Sequence, residues 1–373
     1  MSISFERLSK MGHEEVVFFS DPSCGLKAIV AIHNTILGPA LGGTRLWPYK
    51  SEDEAIDDVL RLSQGMTYKA AISGLNLGGG KAVIIADPNT DKSEALFRSY
   101  GRFIQSLNGR YITAEDVNIN VNDIEYMFME TDHVAGVSQV HGGSGDPSPY
   151  TAHGVLKGME ASCLKAFGSE SLKNKVVAIQ GVGAVGRHLM ELLQEAGAQL
   201  IYADINEKNL KLMADKYPSA KKVKPEEIHQ VSCDIFAPCA LGASVNDQTV
   251  DQLRCKIVAG SANNQLARAE HAEILRKKNI LYAPDYLINA GGLMNVSLEF
   301  EGWSDAKARK MTDNIFTTTV EVFKTAEKEN ITTAQAADLY AQRRLDTIKA
   351  IKSSYLGDVA SRIAVKRTPR PRD

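Results

Sequence analysis

Lys81 follows three consecutive glycines in Gly78-Gly79-Gly80-Lys81-Ala82-Val83-Ile84-Ile85, a setting in which bare backbone can press against a small ligand. An ammonium enclosed by apolar walls loses hydration, and that loss lowers its pKa until it can serve as a base near neutral pH. Lys69 lies on the other side of the Gly74–Gly80 stretch, and Asp116 stands just beyond an apolar run at Arg110–Thr113. Two lysines and an aspartate are ordinarily solvated, and a lone Asp serves equally as a helix cap. Taken together they suit amine chemistry, because a carboxylate near two ammonium groups stays ionised and can pass protons.

A second pattern supplies a redox partner. Gly181-Val182-Gly183-Ala184-Val185-Gly186 lies between a strand-like run ending at Gln180 and a helix-like run from Ala184 to Ala196. Glycines at this spacing permit a tight turn, approach of a pyrophosphate to backbone N–H groups and close packing of the helix. Asp204 ends the next strand, where its carboxylate can accept from both ribose hydroxyls and repel a 2′-phosphate, favouring NAD over NADP. Asn263 and Asn264, and later Asn289, each follow an expected strand; amides there suit the orienting of nicotinamide or substrate, although ordinary turns use the same residues. Met66 and Val296 read equally well as core residues. His33, His133, His141 and His153 show no ligand spacing, so no metal is expected.

The elements that must position these residues follow from periodicity. Val16–Phe19 and Leu26–Ile32, separated by a Pro-Ser-Cys-Gly turn, read as strands. Ser51 and Glu54 form a capping box for a helix that delivers Met66 and Lys69, a short strand follows Lys81, and a helix runs from Ser93 to Leu107. Gly142–Pro149 breaks the periodicity and marks a domain change. Beyond it, short apolar strands at Val176–Gln180, Leu200–Ala203, Ile235–Ala237, Ile257–Ala259 and Ile280–Ala283 alternate with helical segments, the pattern of a doubly wound parallel sheet. Two long helices, Ser304–Glu329 and Thr333–Ser354, close the chain.

The expected fold is α/β: an N-terminal α/β domain over 1–140, a Rossmann-type doubly wound domain over 141–332, a helix over 333–356 returning toward the first domain, and a flexible tail over 357–373. A chain of 373 residues exceeds one comfortable core. A net charge of -2 gives no electrostatic reason to expect nucleic acid or an anionic membrane. No leader and no spanning segment is visible, so a cytoplasmic location is expected. Five scattered cysteines without a C-x-x-C pair read as packing residues.

Gly38–Arg45, Gly78–Ile85, Thr113-Ala114-Glu115-Asp116-Val117, Gly181–Gly186 and Asn289–Val296 resemble the glutamate/leucine/phenylalanine/valine dehydrogenase family, with its leucine dehydrogenase branch nearest, over about His13 to Leu356. The resemblance implies an NAD-dependent amino-acid dehydrogenase with a substrate domain, a Rossmann domain and a cleft closing between them, assembled as a homo-oligomer. It implies that Lys81 activates water, Asp116 transfers protons and Lys69 binds the substrate α-carboxylate. Gly42 and Gly43 look like the backbone that lets substrate sit close. Asn264 resembles the amide near substrate and nicotinamide, Thr151 and Asn289 those that hold the carboxamide, and Met66, Ala135, Leu293 and Val296 the side-chain pocket. Departures fall at Asn118-Ile119-Asn120, where leucine dehydrogenases commonly carry Gly-Thr-Thr, at Ala135 in place of Thr and at Leu293 in place of a frequent Val. The Asn-Ile pair and Ala262-Asn263-Asn264-Gln265 resemble tryptophan dehydrogenases of the same family.

The expected reaction is reversible oxidative deamination of an apolar L-amino acid, branched-chain first, to the 2-oxo acid, ammonia and NADH. An aromatic amino-acid dehydrogenase and a catalytically silent NAD-binding sensor stand as alternatives.

Overall fold

A computed structural model describes residues 5–352 of the chain, as two compact units. The expected tail at 357–373, and the expected last helix past Lys352, lie outside the described residues. The first unit contains α1 (Phe5–Met11), β1 (Glu15–Asp21), β2 (Leu26–Asn34), β3 (Ala40–Trp47), α2 (Glu52–Ile72), β4 (Gly78–Ile85), α3 (Glu94–Ser106), β5 (Tyr111–Ala114) and α4 (Val121–Phe128). Its sheet has the order β1-β2-β4-β3-β5, antiparallel from β1 to β4 and parallel from β4 to β5.

Side chains alternate across this sheet. One face, with Val30, Ile32, Ala82, Ile84 and Tyr111, packs on Phe97, Ile104, Ile124 and Met127 of α3 and α4. The other, with Ile29, Ala31 and Val83, packs on Ala55, Ile56, Val59 and Leu60 of α2. The α2 N-terminus is capped as the sequence predicts on one arm, Ser51 accepting from the Glu54 N–H; the Glu54 carboxylate instead accepts from the Lys50 N–H.

Lys81 does not precede a strand, as the sequence predicts; it sits inside β4 with all three glycines. The reason is steric. A Cβ on Gly79 would lie 2.0 Å from the Thr67 nitrogen of α2, and one on Gly80 2.7 Å from the Tyr111 ring. The same explanation covers β3, whose Gly-Gly pair hides a strand from propensity: a Cβ on Gly42 would fall 1.8 Å from the Gly80 carbonyl oxygen.

The second unit contains α5 (Ser148–Phe167), β6 (Val176–Gln180), α6 (Ala184–Glu195), β7 (Gln199–Ala203), α7 (Glu207–Lys216), β8 (Lys221–Lys222), β9 (Ile235–Pro238), β10 (Ile257–Val258), α8 (Glu270–Lys277), β11 (Leu281–Tyr282), α9 (Asp285–Ile288), most of α10 (Gly291–Ser297) and α11 (Asp305–Glu329). Its all-parallel sheet has the order β11-β10-β9-β6-β7-β8, a doubly wound arrangement reversing beside β6.

The division of the chain is less contiguous than periodicity suggests. Val296–Ser304 groups with the first unit, because the buried Glu299 carboxylate accepts from the Gly136 N–H at 3.0 Å and the Ser144 N–H at 2.8 Å. The last helix, α12 (Thr333–Lys352), begins in the second unit and from Ala341 onward belongs to the first. There Arg344 donates to the carbonyls of Ala71 and Leu75 at 2.9 and 2.8 Å, and to that of Gly74 at 3.1 Å. Among the described residues no helix is long and apolar enough to cross a membrane.

Candidate active site

The register of the first sheet brings the chemistry together. Lys81 pairs with Ala31 across β2 and β4, and Arg45 with Val83 across β3 and β4, so both side chains emerge on the α2 face. Asp116 follows the end of β5 and comes to the same place. Lys81 Nζ lies 2.9 Å from Asp116 Oδ1, and Arg45 Nε donates to Asp116 Oδ2 at 2.9 Å. Arg45 also donates through Nη1 to Asp58 Oδ2 at 2.8 Å, which accepts from the Tyr49 hydroxyl at 2.7 Å.

Lys81 is 5% exposed. Burial pulls its pKa below the ordinary lysine value, and Asp116 opposes that without cancelling it. For Asp116 the balance runs the other way: burial works against ionisation, but the charges of Lys81 and Arg45 outweigh it and hold the carboxyl below its usual range. The pair thus combines an ionised acceptor with a lysine whose proton is loosened. Such a group can return a proton near neutral pH far more readily than a solvated lysine.

The loop that carries Asp116 is fastened to the end of β3. The Leu46 N–H donates to the Val117 carbonyl at 3.1 Å, and Asn118 Nδ2 to the Leu46 carbonyl at 3.0 Å. Asn118 has φ 61°, the left-handed region that asparagine tolerates and glycine favours. This departure from the common Gly therefore preserves the backbone turn.

Lys69 and Met66 are half-buried, one helical turn apart on α2. Gly42 and Gly43 receive a packing reason: a Cβ on Gly43 would lie 2.2 Å from the Glu115 carbonyl oxygen and 2.9 Å from Asp116 Cβ. Leu293 and Val296 are half-buried and three apart on α10, whereas Ala135 has no exposed surface and donates its N–H to the Thr113 carbonyl.

In the second unit the glycine loop has the form a dinucleotide needs. Gly181 adopts φ 95°, and a Cβ on Gly186 would fall 2.2 Å from the Gly181 carbonyl oxygen. A Cβ on Gly183 would meet nothing within 4 Å, and this residue caps α6 without a side-chain hydrogen bond, leaving its first-turn N–H groups for a ligand. Val182 is buried while Ala184 and Val185 line the start of the helix. Asp204 accepts from the Val182 N–H at 2.8 Å and the Asn206 N–H at 2.7 Å, so it braces the loop. Asn209 Nδ2 also donates to Asp204 Oδ2 at 3.4 Å, and of the carboxylate's about four acceptor positions this leaves room for a ribose hydroxyl.

Asn289 Nδ2 donates to Asn263 Oδ1 at 2.7 Å and to the Ser261 carbonyl at 3.1 Å, joining the two amide segments. Asn264 is exposed with φ 52°. The Thr151 hydroxyl, near the start of α5, lies where a Cβ on Gly292 would come within 2.6 Å of it. Among the described residues no group of three His, Cys, Asp or Glu side chains converges as a metal site.

Arg45, Asp58 and Tyr49 were not legible as site residues from spacing. Reading Ala40–Trp47 as a strand would have put Gly43 and Arg45 on one face; nothing in the sequence pairs Arg45 with Asp58.

The model of the Glu/Leu/Phe/Val dehydrogenase dimerisation domain matches residues 13–133, and that of the Glutamate/Leucine/Phenylalanine/Valine dehydrogenase domain matches 142–204 and 202–350. The chain is 53% identical over 352 residues to leucine dehydrogenase of Geobacillus stearothermophilus, covering 94% of this chain and 96% of that one. It is 47% identical to phenylalanine dehydrogenase of Thermoactinomyces intermedius, covering 95% and 97%. The crystal structure of L-tryptophan dehydrogenase from Nostoc punctiforme superposes with a TM-score of 0.83 at 43% identity, covering 93% of this chain and 100% of that one.

Proposed function

Because the chain belongs to the glutamate/leucine/phenylalanine/valine dehydrogenase family, we propose that it is an NAD-dependent dehydrogenase that reversibly deaminates an apolar L-amino acid, with branched-chain substrates, leucine foremost, preferred. The observation that carries the reading is the buried Lys81 held 2.9 Å from Asp116.

Lys69 binds the substrate α-carboxylate and so fixes Cα. Bound NAD supplies the acceptor for the hydride that leaves Cα, converting the amine to an iminium. Lys81, neutral at this point, takes a proton from water as its oxygen bonds to the iminium carbon. Asp116 relays the proton from Lys81 to the carbinolamine nitrogen, Lys81, neutral again, takes the hydroxyl proton as the C=O bond forms and the C–N bond breaks, and ammonia departs from the 2-oxo acid. Asp116 also faces the iminium as a counter-charge, which a neutral lysine does not cancel. Gly42 and Gly43 supply the close-packed backbone of the substrate site, and Met66, Ala135, Leu293 and Val296 its side-chain pocket. Gly181, Val182, Gly183, Ala184, Val185 and Gly186 receive the pyrophosphate, Asp204 the adenine ribose, and Thr151, Asn263, Asn264 and Asn289 the nicotinamide end.

Leucine dehydrogenases at 48–53% identity support leucine as first choice. The aromatic alternative draws on the Asn118 turn and the tryptophan dehydrogenase likeness. The dimerisation-domain match supports a homo-oligomer, and we place the enzyme in the cytoplasm.

Lys81→Ala should cut turnover by roughly a thousandfold, the scale of a lost general base, while NAD still binds. Near-normal turnover would reject the mechanism. Initial rates of NADH formation on leucine, valine, phenylalanine and tryptophan decide the side chain: a higher kcat/KM for an aromatic substrate replaces leucine, and NAD binding without reduction on any of them marks a silent sensor.

A further inference from the structure

We propose that Arg45 is a positioning residue for the proton relay: it occupies Oδ2 of Asp116 so that Oδ1 alone faces Lys81, and it remains a cation when Lys81 gives up its charge. The inference rests on the reading of Lys81 and Asp116 given above. Asp116 is gripped from two sides, with Lys81 Nζ and Arg45 Nε each at 2.9 Å on different oxygens. A relay needs a defined direction. With Oδ2 held by a guanidinium that does not titrate, the oxygen free to take and return a proton is the one beside Lys81.

The charge balance adds a second reason. When Lys81 becomes neutral, Asp116 loses one of its two cations at the moment a proton is in transit. Without Arg45 the carboxylate would hold that proton more tightly; Arg45 lowers the affinity of Asp116 for it, and lowers that of Lys81 as well.

Arg45 is itself held from α2, by Asp58 at 2.8 Å, and Asp58 accepts in turn from Tyr49 and from Arg61 Nη2 at 2.9 Å. The groups that bear on the relay include Arg45 and Tyr49 at and beyond β3 and Asp58 and Arg61 of α2, while Tyr111 of β5 lies on the opposite face of the sheet, its hydroxyl donating to the Gly42 carbonyl. Of these, Asp58 acts on Lys81 with the opposite sign to Arg45.

The test is the pH profile of kcat for oxidative deamination at saturating amino acid and NAD, where ionisation of the free substrate amine does not contribute. In Arg45→Met the limb on which kcat rises with pH, set by deprotonation of Lys81, should move up by about one pH unit, as expected for loss of a near cation, with KM for NAD unchanged. Asp58→Asn should move the same limb down. Arg45→Lys, which keeps the charge but not the fork, should return the limb toward its original position while recovering only part of kcat. General loosening of the site would not produce shifts of opposite sign. A limb unmoved in Arg45→Met, or moved the same way in Arg45→Met and Asp58→Asn, overturns the proposal. If Arg45→Met does not fold, Arg45→Lys and Asp58→Asn decide, and an unmoved limb in Asp58→Asn then counts against it. Lys81→Ala measured in parallel separates the two levels: an active Lys81→Ala removes the mechanism itself, whereas an inactive one with an unmoved Arg45→Met limb removes only the role of Arg45.

Discussion

A lysine that must both carry and surrender a proton needs surroundings that make neither state much costlier than the other. At Lys81 both influences are present: burial disfavours its charge while Asp116 favours it, and the first effect is the larger. Asp116 is the mirror case, kept ionised by two cations despite its burial. At Asp204 the arrangement is different: the carboxylate braces Val182 and Asn206 through their N–H groups before any cofactor arrives. Asp204→Ala should therefore weaken NAD about tenfold or more, the scale of lost hydrogen bonds to a charged group, and shrink the preference over NADP. Fluorescence titration with each dinucleotide measures this, and unchanged affinity and preference would separate Asp204 from the ribose.

At the scale of elements, residues without side chains are what let the site exist. Gly79 admits α2 against β4, and Gly42 and Gly43 admit β3 against β4 and the Asp116 loop, so the glycines act by packing backbone on backbone. Glu299 is the polar counterpart. Its carboxylate accepts from the Gly136 N–H, the Ser144 N–H and the Ser144 hydroxyl, tying the 136–144 segment to one more than 150 residues away in the chain. Glu299→Ala would leave those buried donors without partners, a loss of about 3 kcal/mol in unfolding free energy. Urea denaturation of the variant checks it. Because Val296 lies one turn before Glu299 and Ala135 adjoins Gly136, selectivity among side chains should change in the same variant.

For the whole chain, the last helix does more than end the fold. Arg344 places its guanidinium on the Ala71 carbonyl in the last turn of α2 and on the Gly74 and Leu75 carbonyls just beyond it, where a cation also complements the helix dipole. Lys69 sits in that final turn. Arg344→Ala should thus lower stability by about 2 kcal/mol and raise KM for the amino acid more than KM for NAD. Calorimetry and steady-state kinetics on one preparation test both parts; an unchanged KM ratio would confine Arg344 to stability.

The parallel sheet of the second unit, its glycine loop and the helix that follows were all legible in the sequence, because apolar runs, turn residues and glycine spacing are local properties of a few adjacent positions. So was the selection of Lys81 and Asp116 as candidates for one site. Their 2.9 Å contact was not, nor was the capture of Asp116 by Arg45 or the grouping of Val296–Ser304 with the first unit. Those depend on register between strands and on which face of α2 meets the sheet. A strand such as β3, with two glycines at its centre, has weak local preference and takes its form from its neighbours. Tertiary packing decided what the glycines are for, and through them which charges meet at the site.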